Sequence, residues 1–143
     1  MQIFRYIILP DLELIIDLFK GSFYYHDIIM CKFKQSKDPL WNERYNVLAD
    51  IRDIELDFSK NDVASHLAES RNTMKFKSSP KTAAITLNPK HVIFGTLVQQ
   101  NLGKEAAIIF EYFSSIEAAI AWLGCAPSKK EFISDTLNFL NRS

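Results

Sequence analysis

Five charged side chains, Asp50, Arg52, Asp53, Glu55 and Asp57, fall within eight positions of the chain, and Ser59 and Lys60 follow directly. Carboxylates crowded around one arginine are the residue types that hold a cation, a polar ligand or a basic partner. A metal needs converging oxygens. Alternation along a strand instead sends Asp50 and Arg52 to one face and turns Asp53 to the other, so a local ion pair at a solvated strand end accounts for the group. Ser59 at a helix start could accept a phosphate, because the macrodipole there favours added negative charge. With Asp62 three positions on, it is also a capping-box N-cap worth about 1 kcal/mol, and that spacing alone explains it.

The remaining reactive residues form no apparatus. His26, His66 and His91 share no ligand spacing with Cys31 or Cys125, and neither HxxxH nor CxxC occurs. His91 follows Asn88-Pro89-Lys90 in the first turn of an expected helix; it reads as a surface histidine that could still contribute to a pocket there. Cys31 would need a base partner to act as a nucleophile, and its place inside a helix makes it an inert thiol. The four glycines, at 21, 95, 103 and 124, are too dispersed to cradle a phosphate chain. No metal, cofactor or catalytic pair is expected, and the chain reads as a non-enzyme.

Composition narrows the setting. Hydrophobic residues at 48% and charged residues at 24% are ordinary for a globular protein, and 17 basic residues balance 17 acidic ones. Zero net charge with interspersed signs argues against nucleic-acid binding. No apolar run reaches the roughly 18–20 residues that span a bilayer. The apolar start, interrupted by Arg5, Pro10, Asp11, Glu13 and Asp17, lacks the layout of a secretory signal. Two lone cysteines suit a reducing cytoplasm. At 143 residues the chain is expected to be one domain.

The elements that must position these residues follow from periodicity. Residues 3–9 and 13–19, joined by Pro10-Asp11-Leu12, read as a β-hairpin with Leu14, Ile16 and Leu18 on one face. Gly21 is expected to end the second strand and Ser22 to cap a helix over Phe23–Gln35. Tyr45–Ile51 is a strand with both faces covered: Tyr45, Val47, Ala49 and Ile51 on one, Leu48 on the other. A helix from Ser59, a strand over Thr82–Leu87, a helix over Lys90–Leu102 and a strand over Ala106–Phe110 follow. Capping boxes at Ser114–Glu117 and Ser128–Glu131 each open an amphipathic helix, lined by Ile116, Ala119, Ile120 and Leu123, then by Ile133, Thr136, Leu137 and Leu140. Strands alternating with helices after a hairpin predict an α/β fold with a mixed sheet of four or five strands.

With the hairpin, the strings YNVLADIRD at Tyr45–Asp53, KTAAITLNPKHVIFGTLVQQ at Lys81–Gln100 and IEAAIAWLG at Ile116–Gly124, the chain resembles the STAS-domain superfamily, specifically small bacterial SpoIIAA-like proteins. The resemblance covers about Met1–Gly124, leaving 125–143 as an added C-terminal helix on a single STAS-like domain. In the family's anti-sigma-factor antagonists, the turn after the third strand carries Asp-Ser-Ser/Thr-Gly, whose serine is phosphorylated by a partner kinase. The corresponding string here is Asp57-Phe58-Ser59-Lys60. Asp57 matches, Phe58 stands at the phosphoacceptor position, and the glycine is absent. The resemblance therefore implies the fold and an interaction role without the usual phosphoserine switch.

The expected function is a cytoplasmic regulatory or protein-interaction module that meets a partner at the turns after the third and fourth strands. Asp53, Asp57, Ser59 and Lys60 are the candidate contacts, with Asn88, Lys90 and His91 beside them if the two strands are neighbours. The alternative is a carrier of a small apolar or anionic molecule, in an enclosed cavity above about 300 Å³ lined by Phe23, Tyr24, Phe76, Phe132 and Phe139. Phe132 and Phe139 also widen the apolar stripe of the last helix, which suits a homodimer contact through it.

Overall fold

In a computed structural model of the chain, residues 1–57, 80–93 and 109–142 are described. They hold a five-stranded mixed sheet in the order β1-β2-β3-β4-β5, with β1 (Gln2–Leu9) antiparallel to β2 (Leu14–Tyr24). Strands β3 (Asn46–Asp57), β4 (Lys81–Ile85) and β5 (Ile109–Phe113) continue parallel to β2. Three α-helices are described in full: α1 (Tyr25–Gln35), α2 (Ile116–Leu123) and α3 (Lys130–Arg142). The expected helix from Ser59, with His66 and Phe76 beyond it, lies outside the described residues, as do Ala106–Ile108 of the expected fifth strand. No helix among the described residues is long and apolar enough to cross a membrane.

The hairpin forms as its turn residues dictate, with Pro10–Leu12 as one 3-10 turn closed by the Glu13 N–H on the Pro10 carbonyl. Strand β2 does not stop at Gly21, however. It runs on to Tyr24 because β3 continues beside it, pairing Gly21 with Ile54 and Phe23 with Leu56. Gly21 has φ +91, and a Cβ there would sit 1.8 Å from the Met1 carbonyl oxygen, so the residue serves a close crossing of two backbones. Phe23 is accordingly a strand residue, buried edge-on against Phe19 at 5.5 Å. Helix α1 begins two residues later than its first expected position, with the Asp27 carboxylate accepting from the Tyr24 N–H at 2.9 Å.

Strand β3 likewise outruns its expected end at Ile51. Its pairing with β2 shifts from Leu18–Asp50 to Lys20–Asp53, so β3 carries one extra residue there. The bulge changes the phase of the strand. Val47 and Ala49 pack with Ile15, and Ile54 packs with Phe19 and Phe23, all on the face that α1 covers. Asp53, Glu55 and Asp57 are turned to the other face and are exposed. They are strand residues rather than members of a turn.

The opposite face of the sheet carries Leu14, Ile16, Leu18, Leu48, Ala83 and Ile85, and it is closed by α2 and α3. Ser115, one residue after the serine of the expected capping box, is the N-cap of α2 and accepts from the Ala118 N–H at 3.2 Å. Ser128 lies in a 3-10 turn, Pro127–Lys129, and α3 starts at Lys130. Ile133, Leu137 and Leu140 of α3 are buried in the sheet, whereas Phe132 and Phe139 are 52% and 58% exposed on its outer side. Arg5 and Lys20 donate to the Leu140 and Asn141 carbonyls at 3.0 Å each, placing cations on the C-terminal end of α3.

Candidate functional site

Strand β4 ends at Ile85, level with Asp50, while β3 runs seven residues further to Asp57. The step between the two strand ends is a cleft of about 540 Å³. Ile54, Glu55, Leu56 and Asp57 form one wall, and Asn88, Lys90, His91 and Ile93 form the other. Carboxyl ends of parallel strands are where α/β sheets place their binding crevices.

The second wall is built by a turn that the sequence specifies closely. Thr86 donates its N–H to the Phe113 carbonyl at 3.0 Å, and its Oγ1 accepts from the Asn88 N–H at 3.1 Å. The Asn88 side chain then accepts from the Lys90 N–H at 2.9 Å, which makes Asn88 an N-cap with Pro89 in the first helical position. Residues 89–93 are helical.

His91 is not a surface residue. It is 3% exposed, its Nδ1 lies 2.7 Å from Thr86 Oγ1, and its ring donates to the Ile54 carbonyl. The ring nitrogen that donates to the Ile54 carbonyl is Nε2, so in the neutral imidazole Nδ1 is the acceptor and Thr86 Oγ1 donates to it. His91 thus lines the cleft as a strut from the β4 turn to the β3 backbone. A histidine beyond an Asn-Pro turn gives no periodic signal of burial, which is why sequence reading put it at the surface.

Burial lowers the His91 pKa below its ordinary 6.5, and the bond to the Ile54 carbonyl only partly offsets this. The unfolded chain therefore protonates first as the pH falls. The stability contributed by neutral His91 is complete above about pH 6.5 and declines below it, toward the lower folded-state value. Urea titrations at pH 7.5 and 5.0 are expected to show a loss of stability on acidification that His91→Gln reduces. An equal loss in the variant would remove His91 as its source.

Of the candidate residues, Asp57, Asn88, Lys90 and His91 meet at this cleft. Asp53 lies on β3 opposite Lys20, outside the lining. Ser59 and Lys60 lie outside the described residues. Arg52 holds Asp50 with Nε and Nη2 at 2.9 and 2.7 Å, so those two charges do share a face, yet Asp50 is 2% exposed rather than solvated. That carboxylate hydrogen bond raises the Arg52 pKa further. Among the described residues, the aromatics of the carrier reading line no common cavity: Phe23 is in the core, Tyr24 is exposed at the end of β2, and Phe132 and Phe139 are exposed on the outer side of α3. Burial pushes both cysteine thiols up, which keeps them protonated and unreactive. Among the described residues, no group of acidic, histidine or cysteine side chains could hold a metal.

Sequence reasoning missed Ile54, Glu55, Leu56 and Ile93 as cleft residues. For the β3 residues the signal was present in the change of apolar phase, from Val47, Ala49 and Ile51 to Ile54 and Leu56.

No protein-family model and no curated protein matches the chain. Its structure is similar to the crystal structure of an uncharacterised DUF3478-family protein with a SpoIIAA-like fold from Shewanella loihica PV-4. The TM-score is 0.51 at 14% sequence identity, and the match covers 86% of this chain and 95% of that one. The fold is therefore SpoIIAA-like, and at that identity the likeness concerns the fold alone.

Proposed function

We propose that the chain is a non-enzymatic interaction module whose partner enters the cleft between the ends of β3 and β4. The observation that carries this reading is the pairing of unlike materials at one edge. Glu55 and Asp57 stand exposed on one wall with half-buried Leu56 between them in the chain, and Ile93 is 62% exposed on the other. An apolar centre with a charged rim is the anatomy of a protein contact. Glu55 and Asp57 outnumber Lys90 among the described lining residues, which disfavours the anionic molecule of the carrier reading. No nucleophile–base pair is available among these residues, which supports a binding role over a catalytic one.

The test is capture from a lysate of the native organism on immobilised protein, read by mass spectrometry. Ile93→Asp and Asp57→Lys alter exposed side chains, so each should lose a partner that the parent chain retains without lowering the melting temperature. Undiminished capture by both variants would remove this edge from consideration.

A further inference from the structure

Independently of the cleft, we propose that β1 pairs antiparallel with β1 of a second copy of the chain, about a two-fold axis at Tyr6. Among the described residues only β2 pairs with β1, and the chain from β3 to β5 joins strands on the far side of β2. In the folded chain Ile3–Ile7 and Leu9 are only half-buried, on both faces of the strand. The backbone groups at the outer edge follow from the pairing. Asn46 donates its N–H to the Glu13 carbonyl at 3.1 Å, so that carbonyl faces β3. The next N–H, of Leu14, then faces β1, and by alternation so do the groups of Ile16 and Leu18. Their partners are Leu9, Ile7 and Arg5. Phe4, Tyr6 and Ile8, lying between these, direct their N–H and C=O groups away from β2.

An edge strand is ordinarily kept from further pairing by lysine, proline, a bulge or brevity. Gln2–Leu9 is eight residues long, contains neither lysine nor proline, and holds an unbroken register with β2. Its single charge, Arg5, is drawn to the Leu140 carbonyl. The same residues specify the second copy. Outward groups must face outward groups, so a two-fold axis passes through a residue rather than between two. At Arg5 it would set like charges directly opposite each other, which destabilises pairing. At Phe4 it overlaps only Gln2–Tyr6, and at Ile7 only Arg5–Leu9. At Tyr6 it overlaps Ile3–Leu9 and sets Phe4 opposite Ile8, Ile3 opposite Leu9 and Arg5 opposite Ile7 of the second copy. Apolar side chains then meet on both faces. The overlap spans about 24 Å, and a strip about 10 Å deep hides about 240 Å² per copy. A standard stable interface hides about 800 Å² per partner, so the dimer is a weak, concentration-dependent one.

Sedimentation of the full chain should show its mass rising from 16.5 kDa toward twice that as the concentration passes about 10–100 µM. Over the same range, hydrogen exchange at the Phe4, Tyr6 and Ile8 amides should slow, while the Arg5 and Ile7 amides, which face β2, should not change. Ile3→Lys and Leu9→Glu should each weaken the dimer roughly tenfold. An equimolar mixture of the two variants should recover it, because the new lysine then faces the new glutamate. Loss in each variant without recovery in the mixture overturns the axis at Tyr6. A single-chain mass up to about 1 mM overturns the pairing altogether, as does growth past two chains. A dimer with unchanged exchange at Phe4, Tyr6 and Ile8 overturns it too, and moves the contact to a surface such as Phe132 and Phe139 of α3. The exchange measurement is made on the parent chain, so it decides the question even where a variant fails to fold.

Discussion

A chain stopped after Gly124 is expected to be largely unfolded at 25 °C, because α3 supplies half of one core face. The reason is topological. In the order β1-β2-β3-β4-β5, the parallel strands advance in one direction across the sheet, and a right-handed crossover from β2 to β3 then sets α1 on one face. Helix α1, between β2 and β3, is on that face with Phe19, Phe23 and Ile54. The other face is left to the chain after β5, and there α2 and α3 cover Leu14, Ile16, Leu18, Leu48, Ala83 and Ile85. Each buried side chain of the Ile133, Leu137 and Leu140 set contributes about 1.5–3 kcal/mol. Together they approach the whole net stability of a domain, about 5–15 kcal/mol. Leu137→Ala, at a residue with 0% exposure, should by itself cost about 2–5 kcal/mol by urea denaturation. A truncated chain with cooperative unfolding and protected amides in β2 would overturn this account of α3.

That result bears on what the sequence could disclose. The stripe of Ile133, Leu137 and Leu140 is plain from helical spacing, but its destination depends on strand order, which no local pattern carries. Strand faces were legible where apolar residues marked them, as at Leu14, Ile16 and Leu18 and at Val47–Leu48, but not at Asp17, a charge buried on the other face of β2. They became illegible at the bulge, where Asp50, Arg52 and Asp53 resemble a solvated strand end although the strand continues. Gly21 and Ser22 show the same limit. Their local preference is to stop a strand and start a helix, and the pairing of Phe23 beside Leu56 overrides it. The place of the cleft was legible because it depends only on the carboxyl ends of two neighbouring strands. Its depth was not, since the cleft exists because β3 outruns β4.

Replacing Lys32 with methionine is expected to destabilise the protein by about 3–5 kcal/mol, more than replacing its ion-pair partner. Asp17 lies in the middle of β2, 1% exposed, facing α1. Its carboxylate accepts from Lys32 Nζ at 2.5 Å and from Gln35 Nε2 at 2.6 Å, and Lys32 also reaches Gln35 Oε1 at 2.5 Å. The two charges are not equally committed, because the Lys32 side chain keeps 20% of its exposure. Lys32→Met strands a carboxylate inside the sheet with one amide for company. Asp17→Asn leaves an ammonium that can turn to water, so its cost should stay near 1–3 kcal/mol, the range for a disturbed buried hydrogen bond. Asp17→Leu combined with Lys32→Met removes both charges and should recover most of the loss. Urea denaturation of the three variants checks the order, and equal costs for the two single replacements would show that water reaches Asp17 as readily as Lys32. The consequence extends to the cleft. Helix α1 presses Ile28 against Phe19, Phe23 and Ile54, so the buried pair that seats α1 also holds the projecting end of β3 in place.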